Sequence, residues 1–216
     1  MSPLRPFVAD PQAGQAEGLF AVQIANVGQS EGEREVMKPK LCAYQNDLTI
    51  KVAIIADMKA HIKADKLVKG QYWEDSKGCA IGCLSHSSSH EKSAAKLGCS
   101  VEIMGLFDTI FERLPNGESQ AWPVQFLEAL PVGVDTSMAW PRFAYWLLVD
   151  TEDGVLQFAK GRADCEEAIQ GVADLYRREL NSDQPTKEEW SGAAGAAWAA
   201  WAAWAARVAE AARAAG

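Results

Sequence analysis

The sequence has little basic charge. Its 216 residues carry 21 Lys and Arg against 29 Asp and Glu, which gives a formal net charge of -8. Proteins that bind nucleic acid mainly by electrostatic attraction carry a basic patch or a high isoelectric point. The charge balance therefore argues against nucleic-acid binding as the main function. Because the acidic residues are dispersed rather than gathered in long runs, they also disfavour an acidic mimic of nucleic acid.

The sequence also lacks an apolar run long enough to cross a membrane, because charged residues interrupt even the Ala-rich C-terminal segment. The N-terminus has no apolar segment of the kind found in signal peptides, so no secretory signal is expected. An odd number of cysteines in a chain of this length indicates reduced thiols and a cytoplasmic protein. The five cysteines are Cys42, Cys79, Cys83, Cys99 and Cys165.

Two signatures of nucleotide-binding folds are missing as well. The glycine motifs GxxxxGK[ST] and GxGxxG do not occur, and strand patterns do not alternate with helix patterns. In most of the chain apolar residues recur every three to four positions, as Ile103, Phe107 and Ile110 do. The sequence therefore predicts an all-α protein, an irregular bundle of six to seven short helices followed by a long Ala/Trp-rich C-terminal helix.

Three parts of the chain are predicted: an N-terminal arm at 1–46, a helical core domain at 47–182 and a C-terminal helix at 186–216. Prolines and glycines interrupt the helical pattern of the arm, which leaves room for one short strand. Thr186 and Glu189 form a capping box at the start of the C-terminal helix. Pro123 is expected at the first position of a core helix, where its missing N–H is tolerated.

The C-terminal helix is unusual in composition, because alanine makes up more than half of Ser191–Gly216. On an ideal helix a row of four tryptophans falls within about a third of the circumference. Two interpretations follow: the helix docks on its own domain, or its tryptophan row binds another protein or a second copy of the chain. The row consists of Trp190, Trp198, Trp201 and Trp204.

A cysteine and histidine cluster offers the clearest chemistry. Its spacing is C-x3-C-x2-H-x3-H, and thiolate and imidazole are the usual ligands of zinc, which is the cofactor such a cluster would hold. One unbroken helix would spread the four side chains over about 16 Å, so a metal site needs a chain reversal near residues 85–89. The candidate ligands are Cys79, Cys83, His86 and His90.

Two other interpretations of this cluster stay open. The cysteines can be buried core thiols and the histidines part of a solvated loop, which is the interpretation ranked first. A cysteine of the pair Cys79 and Cys83 can also be a nucleophile that His86 or His90 activates, ranked below metal binding. His61 lies alone on a helix flank and is given a surface or core role.

Asp108 and Glu112 lie four residues apart on one predicted helix. A solvated helix face is the ordinary explanation of such a pair. A carboxylate acid/base site would need a second helix to supply partners for them.

Several segments resemble a family of uncharacterised bacterial and phage proteins. These segments are KGCAIGCLSHSSSH, LFDTIFERLPN, WPVQFLEALPVGVD and WPRFAYWLLVD, followed by the Ala/Trp-rich tail. The family pattern is a GCAxGC…H motif, a WPxxFLEAxPVG motif and an Ala/Trp-rich C-terminal helix, and the likeness covers residues 48–213. The resemblance implies a bacterial or prophage setting. It brings no assigned activity and therefore transfers no catalytic residue.

Taken together, these features predict a cytoplasmic helical interaction or regulatory protein that can self-associate. The expected partner is another protein or a second copy of the chain, with no nucleic acid and no membrane span. The alternative is a small metal-binding or thiol-dependent enzyme centred on Cys79, Cys83, His86 and His90.

Overall fold

A computed structural model of the chain describes residues 40–214, with side chains placed for 40–203. Within these residues the regular structure consists of eight α-helices and two short 3-10 turns, with isolated bridges but no sheet. The prediction of an all-α fold is confirmed. The helices are α1 (Leu48–Lys63), α2 (Ala80–Ser85), α3 (His90–Leu97), α4 (Val101–Arg113), α5 (Asn116–Ala129), α6 (Ala139–Val149), α7 (Ala163–Leu180) and α8 (Lys187–Ala214).

The described chain divides into two compact units, residues 40–140 and residues 141–214. The division falls inside the range 47–182 that the sequence predicts as one core domain. Most of the predicted N-terminal arm, including its short strand, lies outside the described residues. None of the helices in the described part of the chain combines the length and the apolar character needed to cross a membrane.

The first unit is built around the buried faces of α1 to α5. Phe107 and Phe111 of α4 are fully buried with Leu127 of α5, and Ile81 of α2 joins the same core. Tyr44 enters this core from a turn with a left-handed backbone, φ 55°. Its hydroxyl donates to the Leu127 carbonyl at 2.7 Å, which satisfies the one polar atom of the side chain.

The helix ends of this unit follow local sequence signals. Asp47 caps α1 by accepting the Thr49 N–H at 2.7 Å. Ser89 caps α3 in the same way, since its hydroxyl accepts the Lys92 N–H at 3.1 Å. Gly98 ends α3 with a φ of 70°, a left-handed conformation that glycine adopts without steric cost.

The predicted position of Pro123 is wrong. Helix α5 begins at Asn116, directly after Pro115, and Pro123 lies in its interior. Pro115 itself is extended, with a ψ of 150°. Because Pro123 has no N–H, the backbone carbonyl four residues earlier in the helix lacks its usual hydrogen-bond donor. Helix α5 tolerates this because it packs between α1 and α4, and tertiary packing outweighs local propensity.

The second unit is dominated by the pairing of α7 and α8. The capping box predicted for α8 is confirmed: Thr186 N–H donates to Glu189 Oε2 at 2.7 Å, and Glu189 N–H donates to Thr186 Oγ1 at 3.2 Å. Small residues of α8 such as Ala196 and Ala200 line a cleft against Ala168 of α7. The alanine-rich face, rather than the tryptophan row, therefore faces α7 along most of this pairing.

Candidate functional site

Asp57 and His61 lie on the same face of α1, because residues four positions apart are neighbours on a helix surface. His61 Nε2 is 3.6 Å from Asp57 Oδ1. The His61 side chain is only 10% exposed, whereas that of Asp57 is 40% exposed. The pair therefore lies at the edge of the core, where solvent still reaches the carboxylate.

His86 joins this pair from the end of α2. Its backbone is left-handed, with φ 51° and ψ 41°, and its N–H donates to the Gly82 carbonyl at 2.8 Å. This turn ends α2 and brings His86 Nε2 to 3.0 Å from His61 Nε2 and to 3.4 Å from Asp57 Oδ2. Donor atoms of three side chains thus converge on one point. We call Asp57, His61 and His86 the histidine cluster.

Trp73 packs against both imidazoles of the histidine cluster. Its ring stacks on His86 with centroids 4.6 Å apart and planes inclined by 18°. The same ring meets His61 edge-on, at 5.5 Å between centroids. Because packing on a ring face restricts its rotation, Trp73 holds both imidazoles in the orientation that directs their Nε2 atoms at each other.

The surroundings of His61 favour the neutral form of its imidazole. Burial lowers the pKa of His61, Asp57 opposes this effect, and the neighbouring His86 lowers the pKa further. Since the ordinary histidine pKa is about 6.5, His61 is neutral at neutral pH. A neutral imidazole has one nitrogen lone pair free for a metal ion.

The spacing of the three donor atoms suits one first-row metal ion. Bonds of about 2.0–2.1 Å in tetrahedral geometry place neighbouring ligand atoms about 3.3 Å apart. The two Nε2 atoms are 3.0 Å apart and face different oxygens of Asp57, with Oδ2 at 3.4 Å from His86 and Oδ1 at 3.6 Å from His61. These separations lie on either side of that value. Three protein ligands leave a coordination position for water or a substrate, as in catalytic zinc sites.

A second group of metal-binding side chains surrounds the start of α2. Asp108 and Glu112 lie on one face of α4, and a carboxylate oxygen of each is within 4.8 Å of Cys79 Sγ. His90, the first residue of α3, has its Nε2 3.4 Å from Asp108 Oδ2. We call Cys79, His90, Asp108 and Glu112 the thiol cluster. The expectation of a solvated face is wrong for Asp108, whose side chain is only 14% exposed because α3 and Cys79 cover it.

Cys83 takes part in neither cluster. It is fully buried, and its thiol donates to the carbonyls of Gly78 at 3.4 Å and Lys66 at 3.6 Å. Burial raises the pKa of the Cys83 thiol to about 11 and that of the Cys79 thiol to about 12. Both thiols are therefore protonated at neutral pH, and a protonated thiol is a poor nucleophile. The structure gives no support to thiol catalysis.

The four ligands predicted from the C-x3-C-x2-H-x3-H spacing are thus distributed over the fold. His86 lies in the histidine cluster, Cys79 and His90 lie in the thiol cluster, and Cys83 packs in the core. The chain reversal predicted near residues 85–89 is present, since α2 ends at Ser85 and α3 begins at His90. It separates the two histidines instead of gathering all four side chains.

Sequence analysis missed Asp57 and Trp73. The D-x3-H spacing of Asp57 and His61 on a predicted helix was the available signal, because it places a carboxylate and an imidazole on one face. No local pattern indicates that His86 reaches this pair. Trp73 belongs to a segment without regular structure, and its role is visible only once that segment is folded over α2.

The tryptophans of α8 have different environments. Trp190 is buried against Tyr176, with ring centroids 4.8 Å apart. It is therefore not available to a partner, although the sequence predicted it as part of the interacting tryptophan row. Trp198 is 51% exposed and stacks on Trp201, with centroids 5.0 Å apart. The side chain of Trp204 lies outside the described residues.

No family model, curated protein or solved structure matches this chain. Its function is therefore argued from the two clusters and from the exposed surface of α8.

Proposed function

We propose that this protein binds a divalent transition metal ion, zinc in the first place, through Asp57, His61 and His86. The observation that carries this proposal is the distance of 3.0 Å between the Nε2 atoms of His61 and His86, with the Asp57 carboxylate facing both. Two imidazole nitrogens at this distance repel each other unless a proton or a metal ion lies between them.

The ligand set indicates a reactive centre rather than a structural one. Structural zinc sites are closed by four protein ligands, whereas catalytic sites keep three and leave a position open. The side chains of Asp57 and His86 are 40% and 49% exposed, so a substrate can reach the open position from solvent. At such a position a zinc ion supplies Lewis-acid chemistry, and we therefore infer a small metal-dependent enzyme.

Zinc titration of the purified full-length chain tests the metal site. We expect His61→Gln and His86→Gln each to weaken binding at this site at least about 100-fold, since even the loss of a supporting residue costs 10–100-fold. Calorimetry and the metal content after dialysis measure the effect. Cys165→Ser is the control, because this cysteine belongs to neither cluster and its replacement should leave zinc binding intact. Unchanged zinc affinity in folded His61→Gln and His86→Gln would contradict the proposal.

The exposed part of α8 supports a second candidate function, association with a second copy of the chain. Trp198 and Trp201 place two stacked indoles on a helix whose alanine-rich face already packs on α7. Exposed aromatic pairs are typical anchors of protein interfaces.

Deletion of residues 187–216 should reduce the oligomeric mass measured by light scattering if α8 mediates self-association. Trp198→Ser should produce the same decrease without removing the helix, because Trp198 is half exposed and contributes little to the fold. Trp190→Phe, a buried position, is the control that should leave the mass unchanged. An unchanged mass in both the deletion and Trp198→Ser would exclude this role of the tail.

A further inference from the structure

The thiol cluster contains a buried carboxylate oxygen that is not satisfied. Asp108 Oδ1 is shielded from solvent and accepts no hydrogen bond. Leaving a buried acceptor of an ionised group without a partner is costly, and native structures avoid it unless a function or a bound ion accounts for it. The other oxygen, Oδ2, already faces His90 at 3.4 Å.

Two of the side chains beside the Asp108 carboxylate are poor hydrogen-bond donors. The Cys79 thiol is a weak donor, and an ionised Glu112 carboxylate can only accept. Both Glu112 oxygens face the Gly70 N–H, at 3.0 and 3.1 Å, which fixes the carboxylate in place. The site therefore holds an excess of acceptors, with two carboxylates and a sulfur converging within 4.8 Å. A cation would satisfy all of them.

We propose that the thiol cluster is a second transition-metal site, in which Cys79, Asp108 and Glu112 are the ligands and His90 holds the Asp108 carboxylate in position. Sulfur and carboxylate oxygen are both ligand types that zinc accepts. The ion would join the start of α2, where Cys79 lies, to α4, which carries Asp108 and Glu112.

Binding at this site displaces one proton from the protein. Cys79 is almost completely buried, and a cysteine binds a metal ion only after its thiol has lost the proton. A divalent cation replaces that proton with a metal–sulfur bond, and the proton passes to solvent. The thiolate and the two carboxylates carry three negative charges, which the ion largely neutralises, and no oxidant or reductant is needed.

This site is independent of the histidine cluster. The two clusters share no ligand, and they lie at opposite ends of α2: Cys79 precedes its first residue and His86 follows its last. A result that disproves the proposed function would therefore not disprove the second site, and a result that disproves the second site would not disprove the proposed function.

Cobalt(II) titration of the full-length chain tests the second site, because a cobalt–thiolate bond produces a charge-transfer absorption that nitrogen and oxygen ligands do not. We expect the wild-type chain to bind two equivalents of Co2+ and to show this absorption. Cys79→Ser should remove the absorption and one equivalent of metal. Serine is nearly isosteric with cysteine and can donate to Asp108 Oδ1, so this variant should fold.

Two further variants complete the experiment. Cys83→Ser changes an equally buried cysteine one turn away and should keep the absorption, because its hydroxyl can donate to the same carbonyls. A chain carrying both His61→Gln and His86→Gln should keep the absorption while losing the other equivalent, which separates the two sites. If the wild-type protein shows no thiolate absorption, or if the absorption survives in Cys79→Ser, the second site is disproved.

Discussion

Replacing Gly82 with alanine should destabilise the first unit by about 3 kcal/mol, the upper end of what overpacking usually costs. A Cβ atom at Gly82 would overlap the carbonyl oxygen of Tyr72 and lie 2.6 Å from its carbonyl carbon. Because the obstacle is backbone rather than a flexible side chain, the segment at residues 72–73 would have to move away from α2. Urea unfolding followed by circular dichroism measures the change as a lower midpoint with an unchanged slope.

Gly105→Ala is the matched control for this substitution. Gly105 lies inside α4, and a Cβ atom there would meet nothing within 4 Å. The same chemical change should therefore stabilise the protein, by about 0.5–1 kcal/mol, because alanine is the better helix former. If both alanine variants shifted the midpoint in the same direction, the close approach between α2 and Tyr72 would not exist in solution.

Zinc should stabilise the folded protein through the histidine cluster even when the thiol cluster is disabled. In the Cys79→Ser background, where only that cluster can bind metal, free zinc at about 100 times its dissociation constant should raise the free energy of unfolding by about 2.7 kcal/mol. His61→Gln in the same background should remove most of this increase. Magnesium, which prefers oxygen ligands, should have little effect and controls for nonspecific ionic stabilisation. An equal zinc effect in both variants would contradict binding at His61.

The sign of the pH dependence follows from the lowered pKa of His61. As the pH drops below about 6.5, the unfolded chain binds a proton at this histidine that the folded chain does not bind. The free energy of unfolding therefore decreases as the solution is acidified. Protons also compete with zinc for the imidazole lone pairs in this range. The zinc-induced increase in stability should therefore be full near neutral pH and decline as the solution is acidified through the His61 pKa.

The sequence predicts the helices of this protein better than it predicts its sites. Helix α4 and the start of α8 follow from apolar periodicity and from the capping pair Thr186 and Glu189, which are local properties of the chain. Pro123 misled the prediction of α5, because the packing of that helix against two neighbours outweighs the lost hydrogen bond.

The sites depend on contacts between distant segments. His61 and His86 are 25 residues apart in sequence, and their approach needs the left-handed turn that ends α2. The thiol cluster likewise joins Cys79 to Asp108 on another helix. The density of cysteine and histidine in one short segment could not show which side chains meet, because Asp57, Asp108 and Glu112 come from helices outside that segment.

Tyr72 and Trp73 connect the surroundings of the two clusters. The Trp73 ring stacks on His86, whereas the neighbouring Tyr72 ring lies edge-on to His90, with centroids 6.0 Å apart. Both rings belong to one dipeptide whose backbone lies directly against Gly82. A substitution that displaces this backbone, as Gly82→Ala would, should therefore disturb the ring contacts of His86 and His90 together.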